Sequence, residues 1–482
     1  MSSTILEELA GLDLGDARLN QRTRQVLSRL LESPSLSPTA AMHGWAEMMG
    51  AYRLFDHPEC TEQAILQPHR QAVLARVREH SRVLLIQDTT ELDFSAKKKQ
   101  TGRGPLASID RQGYFKHTQW AVSEQRLPLG TWHCKTYARD PEVGVAPERK
   151  KKPIEQKESY RWLEGYREAC ELATQAPATQ VISCSDREGD IYEVFAEWQQ
   201  RRQDNLPTAE WLIRCNQNRA LLPPGDEALC LDALGSAAKL VEEVRQTAAV
   251  GGVVFQIQTK EQFKSVKGSN HRTVRMGRRV RQEIRVSRVR LRPPHRPGHK
   301  LPTVDIWVVM ATEVSPPPGQ DPIDWVILTS LPVEDLDQAI NILQWYMGRW
   351  EIEVFHRVLK TGCKVEALQF KQDTRIKPIL ALYSIVAWRI LYLMKLGREC
   401  PDLSCDVVFT EEEWKSICVI SRGPEALQRK PSLREMVLMI AHHGGFTGRR
   451  SDGPPGPEVM WRGMQCLRCF ALAWQSFGHN TS

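Results

Sequence analysis

No leader of positive and then apolar residues opens the 482-residue sequence; its first stretch, MSSTILEELAGLDLGDARL, is acidic and amphipathic. That absence argues against a secretory signal. The twelve cysteines are scattered, without the even spacing of a disulfide ladder, so free thiols in a reducing, cytoplasmic setting are expected. P-loop and dinucleotide fingerprints are missing, and no nucleotide cofactor is expected. There is no internal repeat. Long apolar runs are scarce: only Pro378 to Met394 (PILALYSIVAWRILYLM) approaches the length needed to span a bilayer. Arg389 lies inside it, which favours a buried core helix over a membrane span. Cys466 and Cys469 form a CxxC with Cys400 and Cys405 upstream, but the irregular spacing argues against a zinc site. His442 and His443 are adjacent and point apart on a helix, which makes them poor joint ligands.

What is present is ordinary in amount and uneven in placement. Hydrophobic residues make up 41% and charged residues 26%, the composition of a chain that buries a core. The length suits two to four domains. Net charge is +7, yet Lys264 to Lys300 alone holds thirteen Lys or Arg and one acid, Glu283. That stretch carries +12, leaving the rest of the chain slightly acidic. Positive charge concentrated in this way suits nucleic acid.

Along the chain, the first sixty residues read as helical. LNQRTRQVLSRLLE sets Leu19, Val26, Leu27, Leu30 and Leu31 on an apolar stripe, with Arg18, Arg22, Arg24 and Arg29 elsewhere. A second helical piece, HGWAEMMGAYRLF, follows the SPSLSP break. RVLLIQ (Arg82 to Gln87) is a strand-length run that ends at Asp88. Gln119 to Tyr137 fits a hairpin, KESYRWLEGYREACELA a helix, and QVISCS (Gln180 to Ser185) a second strand ending at Asp186. KKKQTGRGPLAS and Arg149 to Lys152 are basic loops. Residues 207–332 look β-rich; within them Val280, Gln282, Ile284 and Val286 alternate with Arg279, Arg281, Glu283 and Arg285, a half-buried strand with an arginine face. From Leu336 the chain is helical again, and SDGPPGPE is a loop.

Two carboxylates, Asp88 and Asp186, thus sit just past apolar strands, where ligands of α/β sheets gather. Each could equally make a turn or cap the next helix. A third element adds to them. In NILQWYMGRWEIEVFHRVLKTG, Tyr346, Arg349, Glu353 and Lys360 fall within roughly 60° of one another around a helix and span about 21 Å of it. Burial would come from Trp345, Trp350, Ile352 and Phe355. A solvated face with an Arg349–Glu353 ion pair is the bland alternative.

The spacing Tyr-x2-Arg-x3-Glu-x6-Lys resembles the signature of the insertion-sequence-four, transposon-five type family of DDE transposases. DREGD (Asp186 to Asp190) and IQDTT (Ile86 to Thr90) resemble that family's other carboxylate segments. KESYRW, DWVILTSLPVEDL, LDLGDARL, GAYRLF and HGGF are similar to further family segments, in the same order. The resemblance implies an α/β RNase H-like catalytic core over 71–370, with a β-rich insertion at about 207–332. It also implies a helical DNA-end-binding domain over 1–70 and a helical dimerisation region over 371–482. Asp88, Asp186 and Glu353 would be catalytic and would hold two Mg²⁺ ions, with Mn²⁺ as a substitute; hard cations favour carboxylate oxygen.

By the same resemblance Tyr346, Arg349 and Lys360 would contact DNA beside the cut. Trp325 would hold a flipped base and Arg214 would lie near the site. Arg279, Arg281 and Arg285 are the DNA contacts suggested by the arginine strand. The partners implied are transposon ends, target DNA and a second copy of the chain, in a bacterial cytoplasm at the nucleoid. A stand-alone nuclease or an inactive DNA-binding regulator is the rival. Gly189 departs from the alanine of the family box, and Glu351 from a basic residue; Glu351 is the rival carboxylate to Glu353.

Overall fold

The computed structural model describes residues 7–32, 37–96, 102–108, 110–140, 153–223, 238–257, 259–266, 269–275, 277–296, 300–370, 373–449 and 452–477. In chain order the main elements are α1 (Ala17–Glu32), α2 (Trp45–Phe55), α3 (Glu62–Arg78), β1 (Arg82–Asp93), β2 (Gln112–Ser123) and β3 (Pro128–Tyr137). Next come α4 (Tyr160–Gln175), β4 (Gln180–Ser185), α5 (Tyr192–Gln203), β5 (Glu210–Arg214), α6 (Leu240–Gln246) and β6 (Ala249–Ile257). Then follow β7 (Lys260–Val266), β8 (Ser269–Arg275), β9 (Arg278–Leu291), β10 (Val304–Glu313), β11 (Trp325–Thr329) and α7 (Leu336–Gly348). The chain closes with α8 (Trp350–Arg357), α9 (Ile376–Glu399), α10 (Glu411–Arg422), α11 (Leu433–His443) and α12 (Pro457–Phe477). The fold is mixed α/β with helical N- and C-terminal regions. The basic loops at 97–101 and 149–152 and the SPSLSP break lie wholly or partly outside the described residues.

Two compact units share these elements. One comprises Met1–Pro147, Gln175–Gln180 and Trp350–Ser482. In it β2 pairs antiparallel with β1 on one edge and with β3 on the other. Helix α3 crosses β3 closely at Gly130, whose φ is 137°. A Cβ there would meet Val73 and His69 at 2.4 and 2.8 Å, so only glycine lets the helix this near. Helix α9 packs on α3 and β3. It is the apolar run of the sequence, and 89% of its most apolar window is buried, as expected of a core helix. Trp388 anchors it by donating its indole N–H to the Pro128 carbonyl. Arg389, fully buried in the same helix, donates to the Val408 carbonyl at 2.5 Å. In α1, Val26, Leu27 and Leu30 form the buried stripe.

One expectation fails here. β1 does not end at Asp88 but runs through it to Asp93, in unbroken register with β2 from Val83↔Ser123 to Asp93↔Gly113. The polar continuation TTELD holds as a strand because Arg111 pairs with both Glu91 and Asp93, at 2.9 and 2.7 Å.

The second unit comprises Glu148–Thr174 and Val181–Arg349. Its sheet runs β4-β5-β11-β10-β9-β6. β4 and β5 are parallel, and the later neighbours are antiparallel; β7 and β8 form a separate hairpin. Helices α6 and α7 pack on β9 and β10. β9 shows the alternation read in the sequence: Val280, Gln282 and Ile284 are buried, while Arg279 and Arg281 are exposed.

The single long helix expected around Glu353 is also corrected. α7 stops at Gly348, Arg349 caps it, α8 restarts at Trp350, and a five-residue π-turn (Val358–Gly362) follows. The π-turn contains Lys360, so a straight 3.6-residue stripe does not reach it. Trp350, expected inside, is 55% exposed. Tyr346, expected on the polar stripe, is buried, because its ring packs edge-on against Trp325 with centroids 5.8 Å apart.

Candidate functional site

Asp186 follows β4 directly, as the sequence implied, and caps the short 3-10 turn Arg187–Gly189. Its Oδ1 accepts from the Glu188 N–H at 2.9 Å; among the described residues Oδ2 takes no hydrogen bond. The capping role and an outward carboxylate oxygen therefore coexist. Gly189 has a local reason: a Cβ there would sit 2.2 Å from Ser185 Oγ and 3.3 Å from the Trp162 ring. Two positions on, Asp190 accepts from the Asn216 and Gln217 N–H groups at 2.7 and 2.8 Å. It also pairs with Arg219 at 2.7 Å, tying the turn to the segment that follows β5.

Around Asp186 the second unit gathers Arg214, Tyr346 and Arg349 from β5, α7 and the α7 cap. Burial pushes the Arg214 guanidinium down, as do the neighbouring charges of Arg187 and Arg349; Tyr346 and Asp186 act the other way. Burial likewise drives the Tyr346 phenol up, with Cys184 and Asp186 adding to it and Arg349 and Arg214 opposing. The Cys184 thiol beside them is held up at about 12, first by burial. Trp325 joins through its contact with Tyr346, and Arg214 reaches its neighbour Asp324, donating to the carbonyl at 3.4 Å. Arg187, Arg214 and Arg349 lie close enough to act on one another's charge beside Asp186, a concentration of positive charge suited to phosphate.

Arg187 is the member that sequence reasoning left unassigned, although it sits beside Asp186 in the motif. A cavity of about 420 Å³ opens from it, lined also by Arg219, Lys239, Arg292 and Arg296. One guanidinium nitrogen of the buried Arg219, Nη1, has no hydrogen-bond partner among the described residues.

In the first unit, Asp88 lies opposite Thr118 and accepts from the Thr89 N–H at 2.8 Å. Helix α8, which carries Glu353, packs against β1. Phe355, two residues beyond Glu353, stacks on Trp120 with centroids 4.3 Å apart, and Trp120 is the cross-strand partner of Ile86. Glu353 is thus carried on the helix that covers the Asp88 stretch of β1. Glu351 faces α9 instead, pairing with Lys395 at 3.1 Å. The Lys360 ammonium donates to the Glu91 carbonyl at 2.9 Å and pairs with Glu366 at 3.2 Å, so it is bound to the β1 side of this unit. Among the described residues no three His, Cys, Asp or Glu side chains form a metal-sized cluster.

Of the arginine strand, Arg285 pairs with Glu283 at 2.7 Å and Arg288 with Asp305 at 3.2 Å. Arg279 and Arg281 have no side-chain partner among the described residues. At the N-terminus Arg24 donates to the Leu9 and Ala10 carbonyls, and Arg29 pairs with Glu47 and Glu32. Arg18 is exposed and pairs with the nearby Asp16.

Comparison with known families supplies the two ends of the chain. Residues 1–60 match the family described as Transposase DNA-binding. Residues 385–476 match the Transposase Tn5 dimerisation domain. A DNA-binding segment made of α1 and α2 and a dimerisation segment made of α9 to α12 thus bracket the chain that carries Asp88, Asp186 and Glu353. Together they support a Tn5-like transposase of the insertion-sequence-four type, with DNA-binding and homodimerisation segments.

Proposed function

We propose that this transposase cuts a mobile element from DNA and joins it to a target, using Asp88, Asp186 and Glu353 as its catalytic carboxylates. The observation that carries the reading is the setting of Asp186, a strand-end carboxylate beside Arg187, Arg214 and Arg349 with one oxygen open. In this reading the core is RNase H-like and the three carboxylates would hold a pair of Mg²⁺ or Mn²⁺ ions, which the all-oxygen donor set suits. Such ions, when bound, activate the attacking oxygen and stabilise the departing one.

The chain's own residues do the positioning. Arg349 and Arg214 grip the phosphate beside the cut, where their fork geometry holds it for in-line attack. Tyr346 braces Trp325, against which an extruded base stacks. Lys360 contacts DNA beside the cut with them, and Arg279 and Arg281, without a side-chain partner among the described residues, bind backbone phosphates farther along. Residues 1–70 grip the element's ends, 371–482 hold two copies together around them, and the complex works at the nucleoid.

The test is excision of a segment bounded by the gene's own flanking ends, in Mg²⁺. Wild type is expected to excise, while Asp88→Ala, Asp186→Ala and Glu353→Ala bind ends but fail to cut. Wild type that binds and never cuts would make the chain a regulator. Cutting by Glu353→Ala would remove Glu353 from the site.

A further inference from the structure

The second unit carries a larger groove, of about 1140 Å³, away from the Asp186 cluster. Its floor is the outer face of β9 and β10. There Arg288 and Arg290 alternate with the buried Val289 and Leu291, and Asp305 and Trp307 alternate with the buried Ile306 and Val308. The strand register sets Arg288 directly opposite Trp307, and Arg290 opposite Asp305. The far wall is the last turns of α5, where the Arg202 guanidinium lies 5.3 Å from the Trp198 ring centre. Lys300 lines the groove as well.

Trp307 and Trp198 differ in a telling way. Trp198 is committed: its indole N–H donates to Glu210 at 3.2 Å, and its ring meets Trp211 edge-on. Trp307 is half-buried on the groove floor, and its indole makes neither a ring contact nor a hydrogen bond among the described residues. An indole without a partner, flanked by guanidiniums, is a stacking platform. Asp305 is shared by Arg288 and Arg290, at 3.2 and 2.8 Å, so a single carboxylate faces two cations. Counting the lining residues, Arg202, Arg288, Arg290 and Lys300 outweigh Asp305 and Glu334 by two charges. The volume exceeds the ~1,000 Å³ upper range of ordinary small-molecule pockets, which suits a length of polymer better than one compact ligand.

We propose that this groove binds unpaired, single-stranded DNA, with a base stacked on Trp307 and backbone phosphates on Arg288 and Lys300. It is separate from the site of cutting. Trp325, which belongs to the Asp186 cluster, pairs with Ala311, whereas Trp307 lies four residues back along β10, about 13 Å away at strand spacing. A transposase that opens duplex ends exposes unpaired strand, and a basic groove with a free indole is a place to hold it.

The test uses the full-length chain, with binding as its readout. Short oligo(dT) carrying 5-iodouracil is photocrosslinked to the protein in excess random-sequence duplex, and the adduct is mapped by mass spectrometry. Anisotropy of fluorescein-labelled oligo(dT) and of duplex is then compared for wild type, Trp307→Ala, Trp307→Tyr and Arg288→Gln. The adduct is expected on the β10 peptide holding Trp307. Trp307→Ala should weaken oligo(dT) binding about tenfold or more, Trp307→Tyr should restore most of it, and duplex affinity should hold. Arg288→Gln should flatten the salt dependence by about one phosphate's worth. Crosslinks mapping elsewhere with unchanged Trp307→Ala affinity would overturn the proposal. So would an equal loss for duplex and single strand, which would make the groove a duplex surface. Retained duplex binding, with an unchanged thermal unfolding midpoint, shows that Trp307→Ala is folded.

Discussion

At the scale of residues, the chain spends buried charge where segments distant in sequence must be held together. Glu8, in the turn before α1, pairs with His69 and Arg76 of α3 at 2.5 and 2.6 Å. The His69 Nε2 accepts from the Thr131 N–H, so the imidazole is neutral, with its proton on Nδ1 and shared with Glu8. Burial alone would raise the Glu8 pKa, but His69 and Arg76 outweigh it and hold the carboxyl at about 2. Burial keeps the His69 pKa below its usual value.

Both folded pKa values are depressed, so both groups stabilise the fold at neutral pH and lose that contribution on acidification. His69 begins to cost stability as pH falls below its ordinary value of 6.5, and Glu8 as pH falls from 4.5 towards about 2. Glu8→Gln is therefore expected to lower stability at pH 7 by about 3 kcal/mol, with the gap to wild type closing below pH 4.5. Thermal unfolding across pH checks this; a gap that stays constant down to pH 3 would refute it. Little of this was legible beforehand, because Glu8, His69 and Thr131 are brought together only by packing. Gly189 shows the same limit: it read as a departure from a family box, and only Ser185 and Trp162 explain it.

At the scale of elements, β9 is the clearest case of sequence pattern becoming structure. The period of two put its arginines outward as expected, since a strand must alternate its faces. Which arginines are available was decided by neighbours: Glu283 engages Arg285, whereas Arg288 shares the single carboxylate of Asp305 with Arg290. Arg279→Gln with Arg281→Gln is expected to reduce the slope of log affinity against log salt by about 1.8 for duplex DNA. Adding Arg285→Gln should change it little. An unchanged slope in the double variant would assign the pair a structural role.

Helices α11 and α12 make a second prediction at this scale. Their backbones approach at Gly444 and Gly463, where an added Cβ would come within 1.8 Å of the Val459 and Ile440 carbonyl oxygens. Those atoms are main chain and cannot swing away. Gly463→Ala should cost about 1–3 kcal/mol, seen as a lowered unfolding midpoint; an unshifted midpoint would mean the helices separate freely. The helix around Glu353 was the element least well read. Its periodicity anticipated a single stripe, but the cap at Arg349 and the π-turn at Val358–Gly362 break it.

At the scale of the whole molecule, a transposase DNA-binding segment opens the chain and a dimerisation segment closes it. The dimerisation segment leaves Val407, Ile420 and Leu438 exposed to 53%, 49% and 38%. Ile420 and Leu438 lie on two helices of the segment matched to the dimerisation family and are tested as its contact residues. Ile420→Asp with Leu438→Asp is expected to leave the fold intact and shift the dimer towards monomer by sedimentation. A variant that stays fully dimeric would place the interface on other residues of the segment.

The sequence by itself determined the alternations and the motif spacings. These give the burial of α9, the strand ending at Asp186, the arginine face of β9 and the family. Such features follow from backbone periodicity and from residues a few positions apart, and need no knowledge of the rest of the chain. The tertiary structure decided the partners: Arg187 beside Arg214, Tyr346 against Trp325, Lys360 on the Glu91 carbonyl, and on a basic groove the Trp307 indole without a partner among the described residues. Each depends on residues tens to hundreds of positions apart meeting as sheets and helices close, and no local pattern encodes that meeting.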